Sequence, residues 1–331
     1  MLARAWRARA RLAGIAAFAA AAALMCAAPV RAFDLEGHRG ARGLAPENTL
    51  AGFARALEIG VSTLETDIAV TRDGTLVLSH DPHLNPDLVR AADGRWITAK
   101  GPAIHSLSLA ELRSYDIGRL NPESSYARQW PEQQAVDGQR FPLLTELFAL
   151  VRSGKPAVRL NLEIKITPTS GADTPDAESF ATMVVDAVRA AGLAERVTIQ
   201  SFDWRPLLVV RRIAPEIPTS CLTIESSGMN TVAPDQSGAS PWHAGLRRAE
   251  HGNSTPQLAK AAGCGAWSMY WRNLSPSEME QAKALGLKVL PWTVDNPADM
   301  ERLIALGVDG LITDYPDRLR RVMAGRGLAL P

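Results

Sequence analysis

From Glu36 to Asp81 the chain reads EGHRGARGLAPENTLAGFARALEIGVSTLETDIAVTRDGTLVLSHD, and its reactive side chains gather at the ends of short apolar runs. In LETDIAV, Glu65 and Asp67 are two residues apart, so on a strand both carboxylates leave the same face. Leu64, Ile68 and Val70 around them mark that strand as buried. Two buried acids on one face repel unless a positive charge lies between them. A hard cation with oxygen ligands is the economical answer. Downstream, NLEIK repeats the arrangement with Glu163 and Lys165 on one face. His38-Arg39 and His80-Asp81 add two imidazoles and a guanidinium. Such a set suits displacement at an anionic phosphodiester, where negative charge is neutralised and protons must be taken up and delivered. Two histidines can do both near neutral pH.

These residues need a frame. From Phe33 onward, eight candidate strands alternate with amphipathic helices: FDLEGH, STLETDIAV, VRLNLEIK, RVTIQSF, PTSCLTI, GAWSMY, LKVLPWTV and DGLITDY. Helices are expected over 49–57, 143–151, 177–191, 206–213, 276–285 and 299–306, with Asn48 and Pro297 as start signals. This is an α/β pattern with a parallel sheet. Eight β-α units in about 300 residues suggest a closed barrel with its site at the carboxyl ends of the strands. A doubly wound open sheet is the alternative. The strand ends bring His38-Arg39-Gly40, Glu65-Thr66-Asp67, Glu163 and Lys165, Gln200-Ser201-Phe202, Trp292-Thr293-Val294 and Thr313-Asp314 to one rim.

Two stretches break the rhythm. TRDGTLVLSHD carries an Asp73-Gly74 turn between apolar arms, a β-hairpin signal. Residues 82–140 then read as an insertion on the catalytic rim, with one helix near Leu109–Tyr115. Residues 225–257, rich in Ser, Gly, Asn and Pro, form a long loop, and Trp242-His243 within it is a candidate lid element.

The first 32 residues have the form of a secretory leader. Arg4, Arg7, Arg9 and Arg11 precede an Ala-rich apolar run, and Val30-Arg31-Ala32 offers a cleavage site. The apolar run is short for a membrane span, so no stable membrane insertion is expected. Met25 before Cys26 argues against a lipid anchor. Export to the periplasm with cleavage near Ala32 follows. Removing this segment takes five Arg and no acids, leaving 31 Lys+Arg against 35 Asp+Glu. That net charge of −4 gives no support to a nucleic-acid partner. Cys221 and Cys264 remain, and either a disulfide or two buried thiols fits them.

HRGARGLAPENT, LETD, LSHDPHL, LEIK, QSF, PWTVDN and GVDGLITDYP resemble, in order and over nearly all of the mature chain, the motifs of the glycerophosphodiester phosphodiesterase family. The resemblance implies a TIM-like (β/α)8 barrel with a β-hairpin arm, an insertion after the second strand and one divalent cation, Ca²⁺ or Mg²⁺. It makes Glu65, Asp67 and Glu163 the metal ligands, with Glu47 of the ENT element as a further ligand or orienting group. It makes His38 and His80 the acid–base pair, and puts Arg39 and Lys165 on the phosphate of a small glycerophosphodiester. Trp292 is either a rim wall or a substrate contact. The attacking hydroxyl would be the substrate glycerol's own, through a cyclic phosphate that water opens. Asp295 departs from the pattern, since many members carry Asn there. Two other activities fit the same motifs: head-group release from lysophospholipids in the manner of a phospholipase D, and non-catalytic phosphodiester binding.

Overall fold

The computed structural model describes residues 32–154 and 158–331. The leader expected over residues 1–32 lies, up to its last residue, outside that range.

All eight expected strands form: β1 (Asp34–Gly37), β2 (Thr63–Val70), β4 (Arg159–Ile164), β5 (Val197–Ser201), β6 (Thr219–Thr223), β7 (Ala266–Met269), β8 (Lys288–Val289) and β9 (Gly310–Thr313). They pair in parallel in the order β8-β7-β6-β5-β4-β2-β1-β9. The ring closes between its two ends. Asp309 N–H donates to Val289 O (3.0 Å), Ile312 N–H to Pro291 O (3.1 Å) and Val294 N–H to Ile312 O (3.0 Å). The open-sheet alternative is thereby excluded. β8 is shorter than LKVLPWTV suggested because Pro291 has no N–H to give a ladder.

Helices cover the outside: α1 (Leu50–Ile59), α2 (Leu144–Ser153), α3 (Ala177–Ala190), α4 (Trp204–Ile213), α5 (Thr255–Ala261), α6 (Pro276–Ala284), α7 (Pro297–Leu306) and α8 (Pro316–Gly325). Their starts follow from capping chemistry, with Asp176, Asp203, Ser254, Ser275 and Asn296 each accepting from an early backbone N–H. Two helices exceed the sequence expectation. α5 is short and hidden behind a turn-rich loop. α8 is highly charged, yet Leu319, Val322 and Met323 bury one stripe at helical spacing.

The Asp73-Gly74 turn makes the expected hairpin, with Leu76–Leu78 (β3) antiparallel to β2 at Ile68↔Leu78 and Val70↔Leu76. Between β3 and α2 the chain builds its own small core, in which Leu84, Val89, Ile104, Leu112, Ile117 and Phe141 pack on Ala69 and Val77. Its one α-helical turn, Leu109–Leu112, carries a Ser108/Glu111 capping box. This platform sits beside the carboxyl ends of β1 and β2. Among the described residues no helix is long and apolar enough to cross a membrane.

Candidate active site

Strand register assembles the acids. Asp67 on β2 is the direct partner of Glu163 on β4, and Glu65 sits one side-chain layer below, opposite Asn161. The three carboxylates are buried, with one oxygen from each lying within 4.8 Å of the others. Glu65 is held on both sides, accepting from Arg39 N–H (2.9 Å) and Gln200 Nε2 (3.0 Å). Asp67 accepts from Asn48 Nδ2 at 2.9 Å, while its Oδ1 is buried with no hydrogen-bond donor. Lys165 Nζ donates to Glu163 (2.8 Å) and lies 3.5 Å from that Asp67 oxygen.

The electrostatics are uneven. Burial, then Asp67 and Glu163, push the Glu65 carboxyl well up. Burial, only partly offset by Lys165, raises Glu163 to about 7. For Asp67 burial is outweighed by Lys165 and Arg39, which hold it below the usual carboxylate range. One ionised acid and two reluctant ones, all hard oxygen donors and one with a lone oxygen, fit a divalent cation. Its residence would return Glu65 and Glu163 to their charged forms.

His38 ends β1, and the β1–β9 register (Gly37↔Thr313) sets it beside Asp314. Its Nδ1 is 2.7 Å from Asp314 Oδ1, and its Nε2 points toward Glu65 at 3.9 Å. The HRG turn requires Gly40, whose φ is +90° and where a Cβ would meet the Gly52 carbonyl carbon at 2.8 Å. Arg39 and Asn48 take left-handed backbone too, with φ of 50° and 51°. For residues other than glycine this is strain stored at the rim. His80 enters from the end of the hairpin arm, backed by Asp81 Oδ1 at 2.9 Å, while Asp81 Oδ2 accepts from Asn85 Nδ2 at 2.6 Å. Burial, with Arg39 and Lys165 nearby, lowers His80 to about 4.

His38, Arg39, Arg42, Glu65, His80 and Glu163 all line one open cleft, joined by Lys165, Gln200, Phe202 and Trp292. Residues 38–318 match the glycerophosphoryl diester phosphodiesterase family. The chain belongs to that family. A glycerophosphodiester phosphodiesterase of Caldanaerobacter subterraneus subsp. tengcongensis is 32% identical over 85% of this chain and 94% of its own length. One from Bacillus subtilis (strain 168) is 30% identical over 87% and 85%. The crystal structure of a candidate glycerophosphoryl diester phosphodiesterase from Silicibacter pomeroyi DSS-3 superposes with a TM-score of 0.79 at 35% identity, covering 91% of this chain and 96% of that one.

Within this phosphodiesterase-family site, some residues stand apart from their sequence reading. Glu47 does not join the three acids; its oxygens accept from Arg39 Nη1 (2.7 Å) and from the Tyr126 hydroxyl. Arg39 is thus already paired, and its buried Nε lies 3.3 Å from Asp67 Oδ2, an ion pair outside hydrogen-bond geometry. Asn48 is no helix cap. Thr49 caps α1 by accepting from Gly52 N–H, and Asn48 turns inward to Asp67 and Thr66. Trp292 packs edge-to-face with Phe202 at 5.3 Å, forming an aromatic wall. His243 is no lid: it is 1% exposed and stacked on Trp204 at 4.1 Å. Cys221 and Cys264 form a disulfide. Arg42 and Tyr126 were given no role in the sequence reading, which took Asn48 only as a helix start and placed Gln200 and Asp314 on the rim without assigning them partners; the ENT, QSF and TDYP strings were the available signals for these three.

Proposed function

We propose that this chain is an exported, metal-dependent hydrolase that converts glycerophosphodiesters to sn-glycerol 3-phosphate and an alcohol. The observation that carries it is the buried Glu65, Asp67 and Glu163 cluster facing Lys165 and Arg39 in a cleft with two carboxylate-backed histidines. Those three acids would hold the cation, Ca²⁺ or Mg²⁺. When bound, it supplies charge neutralisation at the phosphate and lowers the pKa of a nearby hydroxyl.

The protein's own groups do the rest. Lys165 stays charged, because Glu163 and Asp67 outweigh the pull of burial, and presents a point charge to the phosphate. Arg39 is preset by Glu47 (2.7 Å), with its Nε 3.3 Å from Asp67 Oδ2. His38 Nε2 receives the proton of the attacking hydroxyl as its oxygen bonds to phosphorus. His80 gives a proton to the departing alkoxide as the other P–O bond breaks. Water then opens the cyclic phosphate left by the glycerol hydroxyl, His80 taking the water's proton and His38 returning its own to the released glycerol oxygen. His80 is the more exposed, with its side chain at 33% against 12% for His38, which suits the side from which the alcohol leaves. Burial first, and then Arg39 and Lys165, disfavour its charged form, and an anionic phosphate bound beside it would favour the protonated form that this role needs.

Water-soluble diesters are favoured over lysophospholipids. Trp96 and Trp130, the large apolar residues of the insertion, are covered by Arg90 (5.5 Å) and Arg42 (4.4 Å) rather than forming an apolar lip. Among the described residues the exposed large hydrophobics are Val136 and Leu330 alone. The disulfide supports export, because such bonds persist in oxidising compartments.

Protein beginning at Phe33, assayed on glycerophosphocholine, glycerophosphoethanolamine and lysophosphatidylcholine with added Ca²⁺ or Mg²⁺ and with chelator, tests the reading. Release of sn-glycerol 3-phosphate from the first two, abolished by chelation, is expected. Cleavage of the lysolipid alone would favour the phospholipase reading, and no cleavage would leave phosphodiester binding. Mass spectrometry of the native N-terminus tests export, and a retained Met1 or a lipidated Cys26 contradicts it.

A further inference from the structure

Arg42 lines the cleft and is a natural candidate for a second phosphate ligand. Its hydrogen bonds point elsewhere. Nε and Nη2 form a fork on Asp314 at 2.8 and 2.7 Å, and Nη1 donates to the Tyr126 hydroxyl at 3.2 Å. The guanidinium plane is covered by Trp130, 4.4 Å from the ring centroid. Trp130 is itself wedged between Tyr126 and Tyr315, at 5.9 and 6.3 Å. Gln133 Nε2 donates to Arg42 O at 2.7 Å, and Gln134 N–H to Leu44 O at 2.9 Å, tying the insertion to the HRG turn. Each guanidinium nitrogen of Arg42 thus has a partner within the protein, three of its five N–H groups in all.

What this grip holds is Asp314. With its side chain 1% exposed, it also donates its backbone N–H to Asp295 Oδ1 at 2.9 Å. Burial disfavours its charge, but Arg42 and His38 outweigh that, so Asp314 is an ionised acceptor. An ionised carboxylate only accepts hydrogen bonds. The proton in the 2.7 Å contact consequently sits on His38 Nδ1, leaving Nε2 with a free lone pair toward the cleft.

We propose that Asp314 is the positioning residue that fixes the Nδ1–H tautomer of His38, and that Arg42, clamped by Tyr126 and Trp130 of the insertion, holds Asp314 in place rather than binding phosphate. The inference rests on the reading of His38 as a base. The arrangement is that of a carboxylate orienting a catalytic imidazole, where replacing the acid by its amide leaves the geometry intact and supports the wrong tautomer.

The test has two independent arms, both on protein beginning at Phe33 in saturating Mg²⁺. In the first, histidine ring ¹⁵N spectra identify His38 by its loss in His38→Gln. A protonated Nδ1 and bare Nε2 are expected in the wild type, shifting to a mixture or to Nε2–H in Asp314→Asn. A wild-type His38 protonated on Nε2 overturns the proposal, whatever substrate the enzyme takes. In the second arm, on glycerophosphocholine, Asp314→Asn is expected to lower kcat by about 10²–10⁴-fold with KM nearly unchanged. Arg42→Lys keeps the charge but loses the fork, and should show the same split more weakly, with melting behaviour close to wild type. A raised KM with kcat unchanged in Arg42→Lys would put that residue on the substrate and overturn its role here. Unchanged kcat in Asp314→Asn overturns the positioning role. Failure of the wild type to cleave any glycerophosphodiester would defeat the functional reading and leave the spectra still to decide the tautomer.

Discussion

Replacing Glu163 by Gln should change the stability of this protein in opposite directions with and without metal. In chelator, Glu163 is a carboxylate whose charge is disfavoured by burial and by Asp67, with its pKa raised to about 7. A carboxyl raised above its ordinary value of 4.5 costs nothing at pH 4. The penalty for ionising it grows as pH rises from about 4.5 and levels off above about 7. Glutamine keeps the acceptor for Lys165 and carries no charge to bury. Metal-free Glu163→Gln should accordingly equal or exceed wild type in stability, with its advantage present at pH 8 and absent at pH 4. With cation the order reverses. An ion at a hundred times its Kd adds about 2.7 kcal/mol to the wild type. Unfolding entropy is about 2.1 cal/mol/K per residue, which over the roughly 300 residues from Phe33 to Pro331 makes that gain about 4 °C in Tm. Glu163→Gln should lose most of that shift. Differential scanning calorimetry at pH 8, in chelator and then in millimolar Ca²⁺ or Mg²⁺, reads both signs. A wild-type Tm indifferent to chelator and to both ions would refute the metal site itself. A metal-free variant less stable than wild type would refute the account of its charge.

The two histidines should separate by leaving group: a nitrophenyl diester that keeps the glycerol hydroxyl needs no acid, so it should rescue kcat/KM of His80→Ala but not of His38→Ala, each losing about 10²–10⁴-fold on glycerophosphocholine. Rescue of His38→Ala instead would exchange the roles. Asp295→Asn should raise the urea midpoint at pH 8 and leave it unchanged at pH 3.5, because burial and Asp314 raise this carboxyl to about 7 while an amide oxygen can still accept from Asp314 N–H and Thr313; an equal effect at both pH values would contradict this. Cys221→Ser with Cys264→Ser removes a link across 43 residues and should cost about 2–4 kcal/mol in urea titrations under oxidising conditions, with no difference from wild type once both are fully reduced.

How far the site could be read from the chain depended on the reach of each contact. Glu65 and Asp67 were legible because strand alternation is a local rule, and the same rule joined Glu163 to Lys165. The ladder then did what alternation cannot: it set Asp67 level with Glu163 and delivered Gln200 to Glu65 through the β4–β5 register. Asn48 was misread for a local reason. A polar residue before an apolar helix is a sound capping signal, but Thr49 beside it satisfied the cap, and the left-handed turn at Asn48 freed its amide for Asp67. The charged helix α8 escaped because three buried residues at helical spacing are diluted by arginines.

The pairing of His38 with Asp314 marks where sequence alone stops. The two lie 276 positions apart and become neighbours only when the last strand closes on the first. A barrel was legible from eight β-α units, yet closure is carried by three backbone bonds around Pro291, where no ladder pattern could be expected. Once the ring is shut, the neighbour of any residue at the end of β1 must come from the end of β9. TDYP, which the sequence placed on the rim without a partner, thus supplies the carboxylate behind His38, the base we propose. Tyr126 and Trp130 are one step further removed. Their contacts depend on how an irregular insertion folds back over that closed rim, and no period in the chain encodes it. The candidate site residues were therefore visible from their own strands and strand ends, while the groups that pack behind them depend on the closure of the ring and the folding of the insertion.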